Sequence, residues 1–226
     1  MCGRIAQYSG IREFVDALSG WPERERLQAA EGVPPRYNVA PSTQVSLLHV
    51  LDDELVVERL RWGWRPHWAK DRAAPINARV EKVAHGAFFR AIWKHRAICP
   101  IDGWFEWVDE GGKRKQPYFI RRRDGRPTLC AAIGSFPTPG ADAGEHDGFV
   151  IITADAQGGM VDVHDRRPVA LSGDLAKAWL DTGTASEDAE QIVLHSGDPA
   201  EDFEWYRVDP AVGNVRNQGE HLIKPL

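Results

Sequence analysis

Cys2 stands directly behind the initiator Met1 and ahead of Gly3. Removing Met1, which a small following side chain permits, leaves Cys2 with a free amine and a thiol two carbons apart. The amine of a terminal residue titrates near ~7.7–8.0 and a free thiol near ~8.5. Both therefore offer a usable nucleophilic fraction at neutral pH. An aldehyde meeting this pair forms an imine with the amine, and the thiol then closes the imine to a five-membered thiazolidine. Taken alone, Cys2 also fits a position where any small residue would serve and Met1 stays in place.

Other residues could move protons or hold a ligand. In Gly103-Trp104-Phe105-Glu106-Trp107, strand alternation points Trp104 and Glu106 to one face, with Phe105 and Trp107 on the other. A carboxylate among indoles loses solvation of its charged form, so its pKa rises, which suits a proton shuttle; the alternative is a solvated Glu on an edge strand. His164-Asp165-Arg166-Arg167-Pro168 places an imidazole beside an acid and two guanidiniums, fit for phosphate contact, for acid/base work, or for a loop histidine satisfied by its neighbours. Trp62-Gly63-Trp64-Arg65-Pro66-His67-Trp68 sets three indoles among cations. That mixture suits stacking on unpaired bases, although tryptophans also serve as core anchors; the expectation is that some are buried and one is exposed.

The elements that position these residues read as follows. Ile11, Phe14, Val15 and Leu18 are spaced for a short helix over 11–18 that Ser19-Gly20 ends. Pro34 to Pro41 is too rich in proline for a helix and reads as extended surface loop. Gln44–Val50 and Leu55–Leu60 form a hairpin across Leu51-Asp52-Asp53-Glu54. The stretch 73–79 reads as loop, and Ala87–Lys94 as a helix with Arg90 and Lys94 on one face. Arg96–Ile101, residues 103–107, Pro117–Arg122, Thr128–Ile133, Phe149–Thr153 and Phe203–Val208 read as strands, with turns at Glu110–Lys113 and Asp124-Gly125. Ser172–Leu180 is a capped helix with Leu175, Ala178 and Trp179 inward, and Ser186–His195 is another. Phe136–Asp147 reads as a surface loop, and the tail through Asn214, Arg216 and Asn217 as polar coil.

Composition narrows the classes. At 226 residues, 42% of them hydrophobic, the chain can bury a core as one domain spanning 1–226. No run approaches the ~18 apolar residues of a membrane helix and the start lacks the order of a signal peptide, so the expectation is a soluble cytoplasmic protein with no membrane partner. Cys2, Cys99 and Cys130 are odd in number and widely spaced, which argues against a disulfide framework and CxxC metal sites; Cys99 and Cys130 read as inert core. The histidines show no paired ligand spacing with cysteine, so no metal is expected. Walker, dinucleotide, HExxH and GxSxG motifs are absent. Net charge is −5, yet residues 61–96 hold nine Lys/Arg against two acids and residues 113–126 hold seven against one. Acids gather at 52–54, 187–190 and 201–204. A basic face on an acidic body fits that distribution, as do charges spread over solvated loops.

Seven motifs in order carry a family resemblance: Met1-Cys2-Gly3-Arg4, Arg36-Tyr37-Asn38-Val39-Ala40-Pro41, Trp62-Gly63 through Trp68-Ala69-Lys70, Asn77-Ala78-Arg79, Gly103 to Trp107, Gln116-Pro117-Tyr118 and His164 to Pro168. The sequence resembles the SOS-response-associated peptidase (SRAP) family of abasic-site processing proteins over nearly its whole length. The resemblance implies an α+β domain whose mostly antiparallel sheets form a barrel-like core flanked by short helices, with a groove for single-stranded DNA. It implies no cofactor, a monomer, and a covalent crosslink from Cys2 to an abasic site. By that resemblance Cys2 is the nucleophile and Asn77 orients the sugar and amine. Glu106 moves protons, and His164 contacts the sugar-phosphate and assists ring opening. Arg4, Arg79, Arg90 and Arg166 hold phosphates, and Trp68 and Trp107 stack or wedge beside the lesion.

Departures from the family pattern fall on DNA contacts rather than on these four reactive residues. Val80-Glu81-Lys82 stands for Ser-Glu-Thr, Asp155 for Asn, and Arg167 for Met. Three rival classes use parts of the same pattern: a glutamine amidotransferase, which also opens on Cys-Gly; an autoprotease acting through Cys2; and a DNA-binding module in which Cys2 is incidental.

Overall fold

The computed structural model describes residues 2–21, 25–26, 32–138 and 141–226. Met1, whose removal the Cys2 chemistry requires, lies outside the described residues, as do Pro139-Gly140 of the expected surface loop. The first half of the chain gives β1 (Ile5–Gln7), α1 (Ile11–Asp16), β2 (Glu25–Arg26), β3 (Arg36–Val39), β4 (Gln44–Leu51), β5 (Glu54–Arg61), β6 (Asn77–Arg79), α2 (Val80–Val83) and β7 (Arg96–Ile101). The second gives β8 (Gly103–Val108), β9 (Gln116–Arg122), β10 (Thr128–Ser135), β11 (Gly148–Asp155), β12 (Arg166–Pro168), β13 (Ala170–Leu171), α3 (Gly173–Leu180), α4 (Ser186–His195) and β14 (Phe203–Arg207).

These strands make two sheets. The larger has nine strands, with β12-β11-β10-β7-β4-β5-β2 as its path, β13 added on β10 and β6 on β11. The smaller has five, ordered β14-β9-β8-β1-β3. Pairing is antiparallel except for β6 on β11 and β2 on β5. The β4–β5 hairpin turns at Asp52 and Asp53 with φ of 51° and 61°, the left-handed pair that a two-residue turn demands and that Asp tolerates. Its register, Leu51 opposite Glu54 through Gln44 opposite Arg61, follows from that turn.

Alternation along the strands divides the interior into three apolar layers. Leu129, Ala131 and Ile133 of β10 face a layer shared with Phe14, Trp93 and Trp179. Cys130 and Ala132 face the opposite layer, between the two sheets, with Cys2, Trp104 and Phe203. On the far side of the smaller sheet, Phe105 and Phe119 pack under Val208, Val212, Leu222 and Ile223 of the tail. No closed barrel is found among the described residues; the mixed α+β chain stacks helices, sheet, sheet and tail.

Several sequence expectations need correction. Residues 36–39 form a strand rather than surface loop, because β1 offers them an edge, with Ile5 opposite Val39. Residues 77–79 pair in parallel with β11; three residues are too few to show a period, and the partner strand supplies the order. Over 87–94 the chain turns without forming a helix: Ile92 N–H donates to Phe89 O and His95 N–H to Ile92 O, both three residues back. In α3 the buried residues are Ala176, Trp179 and Leu180, with Ala178 only partly covered. Residues 214–217 are irregular and largely polar as expected, and beyond them Leu222 is fully buried.

Candidate functional site

Cys2 leads into β1 at the layer between the sheets and is fully buried. Asn77 begins β6 and donates from Nδ2 to Cys2 O at 2.8 Å, while its Oδ1 is buried without a hydrogen-bond partner. A parallel strand laid on β11 thus fixes the backbone from which the Cys2 amine and thiol project. Glu106, on β8, is 4% exposed. Its charge reaches the thiol, and after burial itself it is the strongest influence holding the Cys2 pKa well above the ordinary thiol value. Burial likewise pushes Glu106 up to about 7. The expectation of a desolvated carboxylate is met, and near neutrality Glu106 is divided between its two forms.

His164 completes the cluster, its Nε2 3.9 Å from Glu106 Oε2. Its Nδ1 accepts from the Arg166 N–H at 2.9 Å and lies 2.6 Å from the exposed Asp165 carboxylate. One nitrogen cannot accept and donate at once. The Arg166 amide is fixed by β12 and cannot turn away, so it takes the Nδ1 lone pair and leaves the Nε2–H facing Glu106. Burial lowers the His164 pKa, and the terminal ammonium and, more weakly, Lys115 add to this against the pull of Asp165. A neutral imidazole beside a half-ionised carboxyl, whose charge in turn reaches a buried thiol, is an arrangement for passing protons.

The other candidates divide. Trp62 and Trp64 are buried, and Trp68 is 58% exposed, held edge-on to Phe88 at 5.7 Å. Arg79 and Arg90 are exposed, as are Lys70, Lys82 and Lys94 on the same basic stretch. Arg96 is the exception, buried and donating to the carbonyls of Trp179, Asp181 and Thr184. Arg4 donates to Asn38 Oδ1 at 2.7 Å and Val212 O at 2.8 Å, and its guanidinium lies 5.5 Å from the centroid of the half-buried Trp107 ring. Arg166 is only 7% exposed. It is engaged by Glu81 at 2.7 Å, Asp155 at 2.5 Å and Thr153 O at 2.5 Å, so its charge is matched inside the protein.

Two departures from the family pattern thereby find their places. Asp155 gives Arg166 a carboxylate partner. Arg167 points inward, 6% exposed, with Nε and Nη1 lacking partners; burial lowers its pKa while Asp198 opposes the shift. It adds no charge to the surface. Sequence reasoning missed Asn38, whose Nδ2 lies 3.1 Å from Val212 O and 3.0 Å from both Asn214 O and Asn217 O. Asn38 ties the tail to Arg4, two residues from Cys2. Its signal was a place in the Arg36-to-Pro41 motif, to which no role was attached. Among the described residues no group of His, Cys, Asp or Glu could hold a metal ion, and no helix is long and apolar enough to cross a membrane.

The sequence profile of the SOS response associated peptidase (SRAP) family matches residues 1–215. The chain belongs to the SRAP family. Among its SRAP relatives, the abasic site processing protein YedK of Escherichia coli is 45% identical over 227 residues, covering 100% of both chains. The abasic site processing protein YoaM of Bacillus subtilis is 32% identical, covering 99% of this chain and 97% of its own. A solved structure of a phage-related protein from Bordetella bronchiseptica matches this SRAP chain with a TM-score of 0.77 at 40% identity, covering 92% of this chain and 94% of that one.

Proposed function

We propose that this SRAP protein processes abasic sites in single-stranded DNA by forming a covalent crosslink through Cys2 once Met1 is removed. The observation that carries this reading is the Asn77 hydrogen bond to the Cys2 backbone, with Glu106 near enough for its charge to act on the Cys2 thiol and His164 3.9 Å from Glu106. The ring-opened abasic sugar is an aldehyde. The Cys2 amine adds to its carbon and loses water to give an imine. The thiol sulfur then adds to the imine carbon while its proton passes by way of Glu106 to the nitrogen, leaving a thiazolidine with no atoms lost in that step. A thiol held protonated by burial needs such an acceptor. An imine left open would risk elimination of the neighbouring phosphate, so ring closure turns a strand-cleaving intermediate into a protective one. His164, with its Nε2–H toward Glu106, assists opening of the sugar, and the exposed Arg79, Arg90 and Trp68 hold the strand.

The deciding experiment incubates the protein, with Met1 removal checked by mass spectrometry, with single-stranded DNA containing one abasic site. A heat-stable shifted band on a denaturing gel is expected, absent for an intact strand and for Cys2→Ala. No band with Met1 gone sinks the crosslinking reading and leaves non-covalent binding or amide hydrolysis to be tested.

A further inference from the structure

A cavity of about 290 Å³ opens at the end of β4, a volume at the lower end of the ~300–1,000 Å³ of small-molecule sites. It is distant from the reactive cluster. His49 of β4 lies opposite Ala97 of β7, Ala97 opposite Ala132 of β10, and Ala132 opposite Ile151 of β11, which pairs on its other side with Asn77. Four strand spacings of ~4.8 Å, roughly 19 Å in all, therefore separate the cavity wall from the residue that holds Cys2.

The two sides of the cavity differ in chemistry. Phe136 stacks on His49 with ring centroids 4.1 Å apart, and His49 Nε2 lies 2.9 Å from Glu58 Oε2, so the aromatic wall is braced from behind. Leu51, Pro137 and Leu180 continue it as apolar surface. The other side is cationic: Lys94, His95 and Arg96 line it in succession, and among the described residues no Asp or Glu does. Asp181 lines the neighbouring cavity instead, its carboxylate accepting from the Gly183 N–H at 2.8 Å.

Arg96 is 8% exposed. Its Nε donates to Trp179 O, and its Nη2 to Asp181 O and Thr184 O, the carbonyls at and beyond the end of α3. Among the described residues Nη1 has no hydrogen-bond partner, which leaves one guanidinium donor for an occupant of the cavity. A cation stripped of water in this way is stabilised by an anion that reaches it. We propose that the cavity binds a small aromatic carboxylate of one or two rings, with its body against Phe136 and its carboxylate on Arg96 and Lys94. This site is separate from the DNA reading above and stands or falls without it.

The test titrates the isotope-labelled full chain with benzoate, its neutral isostere benzamide, and inorganic phosphate, following amide chemical shifts by NMR. Benzoate is expected to bind saturably and more tightly than either of the others, because benzamide lacks the charge and phosphate lacks the ring. Lys94 is exposed, so Lys94→Gln leaves the interior packed. That variant should weaken benzoate by about two- to fivefold, the range of a partly exposed ion pair, and leave benzamide unchanged. Phe136→Leu keeps an apolar side chain on the wall and removes the ring; it should weaken both aromatic probes by about two- to tenfold. The amide spectra of the free variants report whether each keeps the fold. An absence of saturable benzoate shifts, benzamide or phosphate binding as tightly as benzoate, or benzoate binding unmoved by both variants overturns the proposal.

Discussion

Glu106 is where a single residue's environment sets both chemistry and cost. Its carboxyl is held up to about 7 by burial, against about 4.3 for a free Glu. Between those values the folded state binds a proton that the unfolded state has lost, so stability falls as pH rises through that window and stays lower above it. The rise corresponds to a penalty on the order of 3 kcal/mol at pH 8. Glu106→Gln, which keeps the shape and removes the charge, should therefore melt higher than wild type at pH 8, with the gap closing below about pH 4. Thermal melts across that range check this, and a constant gap would show that the carboxyl is not desolvated in the folded state. The same variant should crosslink more slowly, with the inflection near pH 7 missing from its pH–rate profile. A residue that destabilises the fold yet improves on its isostere in the reaction is what a proton shuttle requires.

Among elements, β3 and β8 bear the most on the site. Gly103 opens β8 where an added Cβ would lie 2.4 Å from Phe119 Cζ and 2.5 Å from Ile120 O. The ring belongs to a fully buried Phe and the oxygen to backbone, so neither can give way. Gly103→Ala is expected to cost about 1–3 kcal/mol by overpacking, read as a lower urea midpoint with unchanged slope. Asn38→Ala removes the amide that gathers the carbonyls of Val212, Asn214 and Asn217. Leaving such buried acceptors unpaired costs about 1–3 kcal/mol, and Asn38→Asp, which has no N–H to give, should be at least as damaging. The strand alternation of β8, the β4–β5 hairpin and α4 were legible because each repeats a period over several residues. Strands β3 and β6 were not, since three or four residues bounded by proline or loop show no period and take their order from the neighbours they pair with. The region 87–94 failed in the opposite sense. Phe88, Phe89, Ile92 and Trp93 have helical spacing, yet Phe88 and Phe89 meet Trp64 and each other, and tertiary packing decided the backbone. In the site, Cys2, Glu106 and His164 were legible as chemistry, whereas the engagement of Arg4 and Arg166 depends on Asn38, Glu81 and Asp155, which no spacing links to them.

At the scale of the whole molecule, charge placement opposes net charge. The chain carries −5 overall, which repels a polyanion at long range, while Lys70, Arg79, Lys82, Arg90 and Lys94 are exposed along one stretch. At physiological ionic strength the Debye length is about 8 Å, so a phosphate at that stretch responds to cations beside it and scarcely to acids across the body. Two double variants separate these effects. Arg79→Gln with Arg90→Gln makes the net charge more negative by two, and Asp52→Asn with Asp53→Asn, exposed in the β4–β5 turn, makes it more positive by two. Were net charge in control, their effects on binding to a tetrahydrofuran-containing strand would be equal and opposite. With local charge in control, the arginine pair weakens binding by about tenfold or more and flattens the salt dependence, and the acidic pair changes it little. Raising the salt should shrink the arginine effect further, because the wild-type protein has more phosphate neutralisation to give up to screening than the variant has. Opposite and equal shifts would mean that DNA meets this protein through its whole field, and the basic stretch would lose its standing as the path of the strand.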